Sequence, residues 1–310
     1  MRRALIALAL AALASPGLAD DYVAYATQCV DQIGEIPAFS CADGVIIPVT
    51  VNGQTPMSFA PGMTCDRPSL LPNGSESDGQ CVPNSRILDL STADKQISVM
   101  CRQKFIRPDG SLQFDEIDVI AHNPQTGATC WFQASANAGT VIDGTTVPAP
   151  TDPASTFFFN QPRDVVHDGC GTCHDNDPFM YSPFVGQVWG HVPVNPLGPY
   201  YQVDVPGLGF DTWPTTMIAP RDSTCTGCHR IGVQETCGQL TDWATGRAMP
   251  PGANPLGASY PLSHSMPPFH GLTEHSWTQI NQQAVNTIAD CCLDPAQEMC
   301  NATPIGNARR

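Results

Sequence analysis

Lysine is nearly missing from this chain of 310 residues: Lys95 and Lys104 are its only two, and charged residues of all kinds make up 14% of it. With 14 Lys+Arg against 29 Asp+Glu, the formal net charge is -15. That balance argues against a nucleic-acid binder, which needs a basic face to neutralise phosphates. No serine nucleophile elbow, HExxH, P-loop or dinucleotide fingerprint occurs either, which removes the commonest hydrolase and nucleotide chemistries. Long apolar runs are absent beyond the first residues.

That single run has its own meaning. Arg2 and Arg3 precede apolar residues from Ala4 to Ala14, and small residues lead on to Ala19. This is the layout of a secretory signal peptide (1–19) cleaved after Ala19. The run is shorter than the roughly 20 residues a membrane-crossing helix needs, and no cysteine stands at the cleavage point to take a lipid. The expectation is a soluble periplasmic or extracellular protein with no transmembrane segment in its mature chain. Loss of Arg2 and Arg3 takes its net charge from -15 to -17.

Proline (30) and glycine (26) are plentiful and point to short elements joined by many turns. Four segments in the first half read as strands: VIIPVTV (45–51), KQISVM (95–100), EIDVI (116–120) and TCWF (129–132), separated by turn signals such as PDG (108–110) and PQTG (124–127). The Pro-rich stretch VPAPTDPAS (147–155) marks a linker. From Thr273 onward Trp277, Ile280, Ala284, Val285 and Ile288 fall on one helical stripe. The expected fold class is α+β and loop-rich. A Cys-rich β domain (20–147) and a linker (148–155) lead to a mainly α and irregular domain (156–310).

Fourteen cysteines suit an oxidising compartment. Six precede residue 150 (Cys29, Cys41, Cys65, Cys81, Cys101, Cys130) and four follow residue 229 (Cys237, Cys291, Cys292, Cys300). Both groups are even, as disulfide frameworks require, with connectivity left open. Neighbouring Cys291 and Cys292 are expected to bond to different partners, because a bridge between adjacent residues is strained.

The remaining four cysteines form the chemistry-bearing motifs CGTCH (170–174) and CTGCH (225–229). Two thiols three positions apart can reach the two vinyl groups of one haem as thioethers, while the adjacent imidazole meets the iron. A zinc or redox-dithiol site would use the C-x-x-C pairs but leaves the histidine that follows each of them unexplained. Two covalently bound haem c groups are therefore expected, on Cys170 and Cys173 with His174, and on Cys225 and Cys228 with His229. Arg163, Arg221 and Arg230 lie near the motifs and are candidates to pair with the propionates.

On these motifs the chain resembles c-type cytochromes. Around the second motif, over residues 221–292, it resembles the class I type, in which a later Met-Pro loop brings the distal ligand before a final helix. The resemblance implies Met266, in SMPPF, as that ligand, with Met249 or a histidine as alternatives. For the first haem the better-spaced candidates are His191 and Met217, or an open iron. The function expected is that of an exported dihaem cytochrome passing electrons to a redox partner with a basic docking face. The alternative is a peroxidase-like dihaem oxidoreductase with an open coordination site on the first haem.

Overall fold

The computed structural model describes residues 18–70, 80–228, 230–257, 266 and 271–305. The apolar run of the expected signal peptide lies outside these residues. Helix α1 (Leu18–Ile33) opens the described chain. The strands that follow are β1 (Val45–Ile46), β2 (Arg86–Asp89), β3 (Gln96–Arg102), β4 (Gln113–Phe114), β5 (Glu116–His122), β6 (Ala128–Ser135), β7 (Ile142–Asp143), β8 (Tyr201–Gln202), β9 (Thr216–Ile218), β10 (Ile231–Gly232) and β11 (Thr303–Pro304). The later helices are α2 (Ser155–Phe158), α3 (Pro162–His167), α4 (Cys170–Cys173), α5 (Pro183–Gly186), α6 (Gln239–Ala244) and α7 (Glu274–Leu293). The chain is thus a mixed α+β fold, as its sequence implied.

The main sheet runs in the order β1-β2-β3-β5-β6-β8, antiparallel except where β8 joins β6. Side chains on a strand alternate between faces, and the register brings matching residues together: Val99 pairs with Val119, which pairs with Phe132. One face therefore collects Ile97, Val99, Cys101, Ile117, Val119, Ala121, Cys130, Phe132 and Ala134, all buried. Tyr22, Tyr25, Ala26, Cys29 and Ile33 of α1 belong to the same core. Disulfides Cys29–Cys130 and Cys41–Cys101 cross this layer. The opposite face carries Met100, Arg102, Glu116, Asp118, Ile120, Trp131 and Gln133, which line a cavity.

The core does not stop at residues 148–155. Tyr200, Val203, Phe210, Trp213 and Ile305 share a cluster with Tyr25, Ile117 and Phe132, and β8 extends the N-terminal sheet. The segment VIIPVTV forms a strand only at Val45–Ile46. Pro48, with no N–H to donate, interrupts the ladder, and Val51 makes an isolated bridge to Gln54.

Helix α7 begins at Thr273, whose side chain accepts from the Ser276 N–H, a favourable N-cap. Trp277, Ala284, Val285 and Ile288 are buried as the stripe implied, whereas Ile280, at the edge of the stripe, is 65% exposed. The cysteines pair within the two expected groups: Cys65–Cys81 completes the first, and Cys237–Cys292 with Cys291–Cys300 makes the second. The neighbours Cys291 and Cys292 go to different partners.

His122 ends β5 fully buried. The Asn195 amide donates to its Nε2 at 2.6 Å, so Nδ1–H donates to Thr129 Oγ1 at 2.8 Å, which in turn donates to the Gly127 carbonyl at 3.1 Å. Burial, and then the positive charge of Arg230, push the imidazole pKa from 6.5 down to about 3. Within that window the unfolded chain takes up a proton that the folded chain refuses. Stability is fully present above the upper value and falls as pH drops, by up to about 1.4 kcal/mol per unit. Denaturant unfolding of His122→Gln between those pH values is expected to show a slope shallower by about one proton than the parent; equal slopes would refute this role.

Candidate functional site

The first motif follows a sharp turn. Gly169, at φ 74°, carries the chain from α3 into α4, a left-handed position that favours glycine. The next constraint is steric: a Cβ on Gly171 would lie 2.3 Å from the Trp213 indole, so this place in the motif admits no side chain while Trp213 holds its position. His174 then sits with its ring 4.8 Å from Trp131, edge-on, and its carbonyl accepts from the Tyr200 hydroxyl at 2.6 Å. Its Nδ1 lies 3.4 Å from the Asp177 carbonyl. Because a carbonyl only accepts, Nδ1 carries the proton and Nε2 keeps its lone pair. Burial pushes the His174 pKa down to about 4, leaving a neutral imidazole suited to ligating a metal.

Cys170, Cys173 and His174 line a cavity of about 1040 Å³ whose other wall is the polar face of the main sheet. On that face Arg102 Nε lies 3.2 Å and Lys104 Nζ 2.7 Å from the Glu116 carboxylate, and Arg102 Nη2 lies 3.9 Å from Asp118. Burial opposes ionisation of Glu116, but the two cations outweigh it and hold its pKa below the usual range. Burial, reinforced by the Glu116 charge, raises Asp118 well above it. Burial and the nearby carboxylates Asp118 and Glu116 raise the Cys170 thiol, while burial pushes Cys173 up to about 11.

The second motif lies on a single turn, Cys225–Gly227, between β9 and β10. Cys225 is half-buried and Cys228 exposed, and the expected ligand His229 lies outside the described residues. Thr226 and Met217 line a smaller cavity of about 340 Å³ that Arg230 also borders.

Direct hydrogen bonds join the first motif and the residues just after it to the segment that follows the second motif. The Asn176 amide donates to the Arg230 carbonyl at 2.7 Å, and Arg230 Nε donates to the Asn176 carbonyl at 2.7 Å. The Asp175 carboxylate accepts from the Gln234 N–H at 2.6 Å and from the Thr236 hydroxyl, and the Glu235 N–H donates to the Thr172 carbonyl at 3.0 Å. A Cβ on Gly232 would fall 2.1 Å from the Asp175 side chain. The segments 172–177 and 230–236 are therefore packed against one another.

The other expected site residues are scattered. Arg163 pairs with Asp21 at 3.1 Å and donates to the Gly207 carbonyl, away from both cavities. Arg221 is exposed, and Arg230 is buried in the tie between the motifs. His191 is exposed and does not line the large cavity, although Val192 does. Met266 borders the cavity of the first motif rather than the second, its N–H donating to the Ala244 carbonyl at 3.1 Å. Met217 borders the pocket of the second motif rather than the first. Met249 is 64% exposed. Sequence reasoning missed Trp131 and the cluster Arg102, Lys104, Glu116 and Asp118. The alternation in QISVMCR (96–102) and EIDVI carried that signal, since it leaves one face of each strand polar.

No protein-family model, no curated protein and no solved structure matches this chain. Among the described residues no three His, Cys, Asp or Glu side chains gather to hold a metal ion. These findings correct the expected membership of the c-type cytochromes, and the fold around the second motif gives the physical reason for the class I part. Pro214 and Pro220 forbid a continuous helix through 214–224. Thr216–Ile218 instead pairs as β9 with β10 and β11, so the motif rides on a β-linked turn and not on a helix.

Gly171→Ala is expected to displace Trp213 and lower stability by about 1–3 kcal/mol through overpacking, with a shift in tryptophan emission. Unchanged thermal unfolding and emission would show that the Trp213 contact does not constrain the motif.

Proposed function

We propose that this chain is an electron-transfer protein working outside the cytoplasm, with two haems held through thioethers at Cys170/Cys173 and Cys225/Cys228 and ligated by His174 and His229. One observation carries the reading. Ten cysteines are paired, and the four left free are those of the two CxxCH motifs.

The competing uses of these thiols fit less well. A redox dithiol needs a thiolate stabilised near neutral pH, whereas burial and facing carboxylates hold Cys170 in its protonated form. A zinc ribbon needs its four ligands together, and among the described residues no group of three exists. Haem bound at these thiols supplies a one-electron iron couple. The chain's own residues do the rest: Cys170 and Cys173 contribute sulfur, the Asp177 carbonyl orients the His174 ring, and Trp131 closes one side against water.

The five disulfides accord with an extracytoplasmic location, to which residues 1–19 would direct the chain as a signal peptide. No helix among the described residues is long and apolar enough to cross a membrane. The net charge of -15 favours a redox partner with a basic docking face. The hydrogen bonds between the motifs favour electron exchange between the two sites.

A second reading, an oxidoreductase acting at the first site, draws on one feature: the large cavity there is faced by Glu116 and Asp118, groups able to move protons. Carbon monoxide and cyanide separate the readings. If the protein is a carrier, neither changes its visible spectrum; if the first site is open, the spectrum shifts, and a Cys170→Ser/Cys173→Ser variant abolishes the shift. Intact mass of the exported protein is expected to exceed that of the polypeptide by two haems, and by one in that variant. A mass equal to the bare polypeptide would refute both readings.

A further inference from the structure

Arg230 follows the second motif directly, yet its side chain is spent on the first. It is 6% exposed. Nε donates to the carbonyl of Asn176, two residues beyond His174, at 2.7 Å; Nη1 donates to the Gly198 carbonyl; and Nη2 lies 4.0 Å from the Asp177 carboxylate. Asp177 is the residue whose carbonyl faces His174 Nδ1. The return bond from Asn176 Nδ2 to the Arg230 carbonyl, also 2.7 Å, closes a ring. In that ring neither motif's flanking chain can move without the other. Through Nε and Nη1 the guanidinium is thus tied to the chain beside the first motif.

We propose that Arg230 is the positioning residue that couples the two metal sites, fixing both motifs in one frame and placing one buried positive charge between them. The inference rests on the haem reading given above. A buried cation favours the reduced form of any centre near it, and the effect is large in a low dielectric. Arg230 directly follows His229 and reaches Asn176, two residues after His174, so its charge, partly offset by the Asp177 carboxylate 4.0 Å away, raises both potentials, which separates Arg230 from an arginine serving a single site. The ring adds a mechanical consequence: a change beside one motif is transmitted to the other.

The test is a spectroelectrochemical titration of the full-length holoprotein, with the two sites assigned by comparison with a Cys225→Ala/Cys228→Ala variant that keeps only the first. Arg230→Gln is expected to weaken reduction at both sites about tenfold, close to 59 mV for one electron. Arg230→Lys, which keeps the charge, is expected to restore both to within about twofold. Arg163→Gln, at an arginine that pairs with Asp21 and lines neither cavity, is expected to change neither. A shift confined to the second site, or none, in Arg230→Gln would overturn the proposal, as would a Lys variant that behaves like the Gln variant. If Arg230→Gln fails to fold, Asn176→Ala replaces it: this variant sits beside the first motif, and the proposal requires it to alter the midpoint of the second. Absence of haem from the parent protein would defeat the functional reading itself, whereas two normally loaded sites that respond independently would defeat only the coupling.

Discussion

The reciprocal hydrogen bonds between Asn176 and Arg230 are the constraint on which the candidate site depends. They join the residues just after two CxxCH motifs that stand 55 residues apart in sequence, and they do so through main-chain carbonyls of two buried residues. Leaving such groups unpaired costs about 1–3 kcal/mol each, so the pair is held more firmly than a surface contact. The tie of Asp175 to Gln234 and Thr236 and the close fit of Gly232 against Asp175 add further contacts between the same two segments. Around this seam the two motifs face different surroundings. The first looks into a large cavity and the second toward the surface, with Cys228 exposed.

The cavity exists because the main sheet has two unlike faces. One is apolar, covered by α1 and crossed by two disulfides, and it supplies most of the burial that makes the chain fold. The other keeps Arg102, Lys104, Glu116 and Asp118 in a mutually paired cluster. Such a cluster gives little net stability, since desolvation offsets the attraction between its charges. Its position opposite Cys170 and His174 is better understood as setting the electrostatic surroundings of the first site.

Much of the framework could be read from the chain. The alternation in EIDVI and QISVM produced strands where expected, and the stripe from Trp277 to Ile288 produced α7. The even cysteine groups paired within themselves. What could not be read depended on register and on chain reversal. Nothing local to Arg102 or Asp118 says that they face the CGTCH segment, because that follows from strand pairing and from the path of residues 162–183. Met266, which the resemblance assigned to the second motif, borders the cavity of the first, and Met217, which spacing favoured for the first, borders the small cavity beside the second, since distance along the chain limits reach without choosing direction. The class I frame fails at 214–224, where two prolines and the β-forming TMI segment leave no helix leading into CTGCH.

Haem attachment at both motifs consumes four thiols, so a thiol count decides whether it occurs. The purified protein, unfolded in denaturant without reductant and treated with an alkylating reagent, is predicted to show no reactive thiol, and after full reduction the ten cysteines of the five disulfides. Four thiols reacting before reduction, or fourteen after it, would mean that Cys170, Cys173, Cys225 and Cys228 carry no thioether and that the protein holds no covalent haem.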